Sequence, residues 1–353
     1  MSEVVDAVLA CYGFRNGDYS VEQYGSGLIN TTCLVKAGAE SYILQRINSK
    51  IFSNPYLIAE NIDTISEHIQ TAGIDYFFAS PLKTTDGRSI VKTGEDYFRL
   101  FPFVNNSHTI DVVQTTHQAY EAARQFGKFT KSLSGIDIEK LNITLPSFHD
   151  LSLRYQQFMD ALHQGNADRI AAVKSLIEEL KNYSGIVDEY ETIKQSPDFK
   201  LRVTHHDTKI SNVLFDENDN GICVIDLDTM MPGYFISDVG DMMRTYLCPV
   251  SEEESCYEKI EVREEFYFAI VKGYRAFMEE ELTPVELQHF FYSGKFIIYM
   301  QALRFITDYL NDDVYYGARY PEHNLVRAIN QTTLLRRLME KESVLTDFSV
   351  VKI

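Results

Sequence analysis

No stretch of this sequence approaches eighteen uninterrupted apolar residues, so no segment reads as a membrane-spanning helix. The opening MSEVVDAVLACYGFRNGDYS lacks a basic start and a sustained apolar run, and it reads as no signal peptide. Cysteine is sparse: Cys11, Cys33, Cys223, Cys248 and Cys256 are an odd, scattered set without a C-x-x-C. That pattern argues against a disulfide scaffold or a zinc site and suits a reducing, cytoplasmic setting. Basic residues are in deficit, 33 against 51 acidic, leaving a net charge of −18. Without a net positive field the chain is expected to bind neither nucleic acid nor an anionic membrane. Tryptophan is absent, and the 22 tyrosines and 22 phenylalanines are expected mainly in the core and cleft walls. There is no internal repeat, no low-complexity tract, no motif for an obligate protein partner, and no G-x-x-x-x-G-K-[ST], which excludes a P-loop. What remains is an ordinary globular composition, 45% hydrophobic over 353 residues, enough for two lobes with a sizeable core.

Strand signals dominate the first hundred residues. Val21–Tyr24, Thr31–Val35 and Ser41–Ile47 read as strands, and Arg88–Lys92 and Tyr97–Phe101 as two more. Between them Asn54-Pro55 opens a helix whose Ile58, Ile62, Ile65 and Ile69 recur at helical spacing until Gly73. After "FPFVNNS" the character changes. Asp111 to about Leu133 and Leu151 to about Tyr183 read as helices, "KNYSGIVDEYETIKQS" as a polar connector, and "SEEES" (Ser251–Ser255) as a solvated loop. Thr283-Pro284-Val285-Glu286 is a capping box expected to open one long helix to about Leu310, and a last helix covers about His323 to Lys341. The expected fold class is α+β: a small antiparallel-sheet lobe with one helix over residues 1–104, and a larger, mainly helical lobe over 105–353.

Chemistry concentrates in "VTHHDTKISNVLFDENDNGICVIDLDTMMPG", Val203 to Gly233. Adjacent His205 and His206 in extended chain point to opposite sides, so a metal cluster is not expected. The spacing His205-x-Asp207-x-x-x-x-Asn212 matches the catalytic loop in which the aspartate takes the acceptor hydroxyl proton and the asparagine helps to hold magnesium. A capped polar turn is the competing reading. The apolar strand Cys223-Val224-Ile225 then ends in Asp226, well placed with Asn212 to hold a hard cation on phosphate oxygens. Upstream, "YGSGLINTT" carries Gly25-x-Gly27 between strand-like runs, the setting of a glycine loop over nucleotide phosphates rather than a dinucleotide-binding turn.

Glycine hairpin, helix, H-x-D-x-x-x-x-N and strand-Asp, in that order, resemble the aminoglycoside phosphotransferase and choline kinase superfamily, relatives of the protein kinases. "YGSGLINTT", "YILQRIN", "THHDTKISNVLFD", "VIDLDTMMPG" and "RFITDYLNDDVYY…YPEHNLVRA" resemble the N-acetylhexosamine 1-kinases, over residues from about 24 to 328. The resemblance implies a bilobal protein-kinase-like fold and an ATP- and Mg2+-dependent kinase acting on a small molecule, an N-acetylated amino sugar phosphorylated at C1. It implies Asp207 as catalytic base, Asn212 and Asp226 as metal ligands, and Gly25, Ser26 and Gly27 over the phosphates. Glu60 would pair with a phosphate-contacting cation, the backbone from Phe101 through Pro102 to Val104 would receive adenine, and Asp228, Arg304 and Tyr315 would bind the sugar. The third-strand cation is a departure: Gln45 falls in the superfamily frame and Arg46 one residue later, and alternation lets only one face the nucleotide. Arg46 is the candidate cation, with Gln45 left open. Asp238 and Asp241 in "ISDVGDMMR" are expected to organise loop and helix rather than bind metal. Choline, homoserine, methylthioribose or an aminoglycoside could use the same machinery; an aminoglycoside would call for a densely acidic pocket.

Overall fold

The computed structural model describes residues 2–25 and 30–347. Helix α1 (Ser2–Ala10) precedes one antiparallel sheet built from β1 (Ser20–Gln23), β2 (Thr31–Ala37) and β3 (Glu40–Ile47) with β4 (Val91–Thr93) and β5 (Asp96–Pro102). Their order is β1-β2-β3-β5-β4. Side chains alternate across it. Val35, Leu44, Phe98 and Leu100 form one face and pack on Val8 and Leu9 of α1. The opposite face carries Gln45 of β3 directly beside Arg99 of β5.

Between β3 and β4 runs α2 (Pro55–Thr71), where Asn54 caps the amide of Tyr56 and Pro55 occupies the first turn. Its isoleucine stripe, Ile58, Ile62, Ile65 and Ile69, is buried in the main hydrophobic core with α3 (Thr116–Ser132) and later helices. The helix that connects the strands is therefore anchored on the helical half. Asn61 of the same helix reinforces this by donating to the carbonyls of Asn142 and Met230.

The helical half continues with α4 (Leu151–Gln164), α5 (Ala167–Ala172), α6 (Lys174–Asn182) and α7 (Gly185–Gln195). Two short hairpins follow: β6 (Arg202–Thr204) pairs with β9 (Met231–Gly233), enclosing β7 (Val213–Phe215) and β8 (Gly221–Val224), which pair with each other. Then come α8 (Phe235–Tyr246), α9 (Glu264–Met278), α10 (Pro284–Leu287), α11 (Phe290–Leu310), α12 (His323–Glu340) and α13 (Glu342–Leu345). Helix α11 is buried around most of its circumference, the mark of a central core helix. The chain is thus α+β, a small antiparallel sheet with one connecting helix followed by a larger helical part. Among the described residues no helix is long and apolar enough to cross a membrane.

Several expectations are corrected. Helix α3 starts at Thr116 rather than near Asp111, because Thr115 and Gln118 form a reciprocal capping box. The 151–183 segment is three helices, the first ending where the Gly165 amide bonds back to Ala161. The capping box at Thr283 closes only the short α10; the backbone turns at His289 before α11 begins. The polar connector is α7, whose Ile186, Tyr190 and Ile193 at i, i+4 and i+7 are buried. Glu252 in the acidic loop bridges Arg244 and Arg327.

Helices α3 and α9 cross at two glycines. A Cβ on Gly273 would sit 2.3 Å from the Tyr120 carbonyl oxygen, and one on Gly127 2.6 Å from that of Tyr274. Backbone cannot yield as a flexible side chain can, so Gly273→Ala is expected to cost about 1–3 kcal/mol. The check is a lower urea midpoint with an unchanged slope.

Candidate active site

The loop between β6 and β7 is held from behind by α8. Asp238 accepts the backbone N–H groups of His205 (3.0 Å) and His206 (2.8 Å), and Asp241 accepts that of Thr208 (2.8 Å). The Thr208 hydroxyl donates to the Asp238 carbonyl, and the Tyr246 hydroxyl donates to that of Thr208. These bonds stabilise a left-handed conformation at His206 (φ 65°), which a non-glycine residue rarely adopts. Asp238 and Asp241 thus organise the loop. His205 Nε2 donates to the Ile225 carbonyl at 2.9 Å, with the ring edge-on to Phe126 and Phe129. Burial lowers its pKa, and burial beside His205 pushes His206 down to about 3, so both imidazoles are neutral structural groups.

Asp207 follows the strained position. Its carboxylate lies 3.0 Å from Lys209 Nζ and accepts from Asn212 Nδ2 at 3.1 Å; the same amide also donates to the Asp207 carbonyl at 2.8 Å. Burial raises the Asp207 pKa, but Lys209 foremost among nearby cations outweighs it and holds the carboxyl below its ordinary value. Lys209 is a site residue the sequence reading left out, although its place two residues after Asp207 in the same motif was the available signal.

The β7–β8 hairpin brings the rest together. Val213 pairs with Val224, so Asn212 lies across from Ile225, whose amide donates to the Asn212 carbonyl at 2.8 Å. The next residue, Asp226, takes a left-handed turn (φ 60°, ψ 60°) into a short 3-10 segment, Leu227–Thr229. Burial, then the carboxylates of Asp228 and Asp207, push Asp226 up to about 7. Its side chain has no hydrogen-bond or ion-pair partner among the described residues. A carboxylate left without a protein partner fits a hard cation that takes its other ligands from phosphate and water. Asn212 is thus bonded to Asp207, and the Asp226 carboxylate lies near enough to Asp207 to feel its charge.

At the start of the glycine segment, Gly25 is left-handed (φ +72°) just past β1, where a side chain would be strained; Ser26 and Gly27 lie outside the described residues. Pro102 ends β5, Phe103 donates to the Ser41 carbonyl, and the Val104 carbonyl accepts from the Ser107 hydroxyl. Arg46 is corrected: it sits on the face of β3 opposite Gln45, half exposed, near Thr31 and Asp96. Glu60 is also corrected, because it is exposed and accepts from Asn142 rather than from a cation. Asp228, expected to bind the acceptor, is 2% exposed, ion-paired with Arg99 at 2.5 Å and bonded by Asn30 Nδ2 at 2.8 Å. Arg99 carried no local signal in the sequence, since only cross-strand register places it beside Gln45.

On the far side of His206 the rings of His149 and Phe148 stack on each other at 4.5 Å, and Phe148 faces the Arg304 guanidinium at 5.9 Å. Arg304 and Tyr315 meet at 3.4 Å and line a cavity of about 300 Å3 with Arg154, Gln157, Thr307 and Tyr316. Asp308 also lines it, but its oxygens accept the amides of Tyr315 and Tyr316 and the Asn324 side chain. Arg154 donates to Gln157 and the Ser147 carbonyl, and Arg304 to Gln301 and Tyr315; neither has a carboxylate partner among the described residues. Burial, then the charge of Arg304, lowers the Arg154 pKa. Asp160, which accepts from Gln156, lines the cavity as well, so two guanidinium groups face two carboxylates and the overall acidity of the chain is not gathered here.

Residues 20–274 match the family described as the phosphotransferase enzyme family. Solved structures with a similar fold include a microcompartment-associated aminopropanol kinase (17% identity, TM-score 0.63, covering 98% of this chain and 99% of that one). An aminoglycoside phosphotransferase from Alicyclobacillus acidocaldarius is similar at 13% identity and TM-score 0.62, covering 96% of each chain. So is a spectinomycin phosphotransferase in complex with ADP and spectinomycin (14%, TM-score 0.55, covering 97% and 98%). The fold is the protein-kinase-like one of these enzymes.

Proposed function

Because this chain belongs to the phosphotransferase enzyme family, we propose that it is a kinase that transfers the γ-phosphoryl group of ATP to the anomeric C1 hydroxyl of an N-acetylhexosamine. Phosphoryl transfer to a hydroxyl of a small molecule is the chemistry of the family; the amino-sugar acceptor is the finer reading. In it Asp207 accepts a hydrogen bond from the acceptor hydroxyl, aims it, and takes its proton as the bond to phosphorus forms. A carboxylate held at low pKa by Lys209 is a weak base, which suits a loose transition state in which the proton leaves late. Lys209 places positive charge beside the same point. Asn212 and Asp226 would hold magnesium, which when bound neutralises charge on the phosphates. Gly25 to Gly27 would cover those phosphates, and the backbone from Pro102 to Val104 would receive adenine.

The observation that carries the acceptor reading is the Arg154–Arg304 pair in the cavity beside His149 and Phe148. Two guanidinium groups against the carboxylates of Asp160 and Asp308 leave no acidic excess to attract a cationic acceptor such as an aminoalcohol, choline or an aminoglycoside. They offer fixed donors to hydroxyl and amide oxygens, with tyrosine rings to stack on a pyranose. The volume is that of a small-ligand site.

Purified protein with ATP and Mg2+ is expected to phosphorylate N-acetylglucosamine or N-acetylgalactosamine and to leave choline, aminopropanol and kanamycin unmodified. Phosphorus NMR locates the product; phosphate on a primary hydroxyl, or turnover confined to the amines, refutes the reading. Arg304→Ala removes a charged donor worth about 1.5–3 kcal/mol, so the sugar KM is expected to rise by about 10- to 100-fold while the KM for ATP stays put.

A further inference from the structure

A kinase-type site needs a cation from the sheet on the nucleotide phosphates, ordinarily a third-strand lysine paired with a helix glutamate. Neither partner is in place here. The cleft-facing position of β3 is Gln45, Arg46 faces the other way, and Glu60 of α2 is bonded to Asn142.

A different pair occupies the same junction. Gln45 and Arg99 are cross-strand neighbours, and Gln45 Oε1 accepts both Nε (3.1 Å) and Nη2 (2.9 Å) of Arg99. This two-point grip fixes the plane of the guanidinium and aims Nη1 at Asp228, two residues beyond Asp226 in the metal-binding segment. Nη1 stands 2.5 Å from Asp228 Oδ1 in an ion pair whose side chains are 3% and 2% exposed. A guanidinium that gives two of its five N–H donors to Gln45 and one to Asp228 keeps two more beside the segment that carries Asp226, suited to a phosphate oxygen. Asp228 is tied further by Asn30, whose Oδ1 accepts the Asn48 amide at the end of β3. One carboxylate thus joins the end of the glycine segment, the third strand, Arg99 and the metal segment.

We infer that Arg99 of β5, oriented by Gln45 and countered by Asp228, is the phosphate-binding cation of this enzyme, moved one strand across from its usual place. The strand-to-helix ion pair has become a strand-to-metal-segment pair, so the sheet and the helical half are locked through the residues that meet the nucleotide. Gln45 is a positioning residue: it lacks charge but determines which guanidinium nitrogen points at the phosphates. Asp228 serves the nucleotide end rather than the acceptor.

This inference rests on nucleotide use alone and not on the identity of the acceptor. Calorimetry with ADP and with adenosine, each with and without Mg2+, separates phosphate recognition from base recognition. Wild-type protein is expected to prefer ADP over adenosine, and Arg99→Gln to weaken ADP about 10- to 100-fold with adenosine affinity unchanged. The double variant Arg99→Gln with Asp228→Asn removes both charges at nearly constant shape, so it tests the same loss if the single variant folds poorly. Moving the charge back, Gln45→Lys with Arg99→Gln, is expected to restore part of the preference for ADP. ADP binding at wild-type strength in the neutral double variant overturns the assignment, as does an equal loss of ADP and adenosine. Failure of the wild-type protein to bind ADP at all would instead sink the kinase reading, and this one with it.

Discussion

Asp207→Asn is expected to lower turnover about 10²–10⁴-fold, the usual scale for removing a positioned general base. Asparagine has the same shape, and one of the bonds from Asn212 goes to the Asp207 carbonyl, so the loop can keep its path. What is lost is the group that receives the hydroxyl proton and the charge opposite Lys209. Binding of ADP should stay near the wild-type value, because the proposed cation ligands Asn212 and Asp226 and the glycine segment are untouched. Single-turnover kinetics together with ADP calorimetry make the test. Near-native turnover in this variant would falsify the role given to Asp207.

Asp238→Ala is expected to be the most damaging change to stability. It leaves the amides of His205 and His206 buried without acceptors, at about 1–3 kcal/mol each. It also releases the left-handed turn at His206, whose conformation is maintained by that bond. Removing a carboxyl that burial has pushed up to about 7 offsets part of the loss, so the net expectation is about 2–4 kcal/mol. The measurement is the denaturant midpoint, with kcat read at a temperature where the variant remains folded. Because Asp207 directly follows His206, kcat should fall along with stability. Asp238→Asn keeps one acceptor and is expected to fall between the two. A variant as stable as wild type would show that the α8 carboxylate does not hold the loop.

How much could be read beforehand depended on the range of the interaction. The strands near Val21–Tyr24, Thr31–Val35, Ser41–Ile47 and Tyr97–Phe101 and the isoleucine stripe of α2 are local patterns, and the structure follows them; the expected strand Arg88–Lys92 is instead Val91–Thr93. Helix α7 was lost because its surface is polar, although Ile186, Tyr190 and Ile193 kept helical spacing. The break at His289 was hidden by a good capping box just upstream. Lys209 and Asn30 lie inside the same local motifs, but their contacts with Asp207 and Asp228 are set by the fold rather than by motif spacing. Arg99 could not be found that way, since it belongs to no local pattern.

The sequence by itself determined the order of the chemistry: a glycine turn, and then Asp207, Asn212 and Asp226 at separations that a single hairpin can gather. That is possible because backbone geometry over a dozen residues leaves little freedom in where a strand-end side chain goes. Charge placement belonged to the tertiary structure. Strand register put the buried guanidinium on β5 in contact with Gln45, and helix packing turned Arg154 and Arg304 toward one cavity. Burial then made those charges matter, since an ion shielded from water is felt by its neighbours far more strongly than the same ion on the surface.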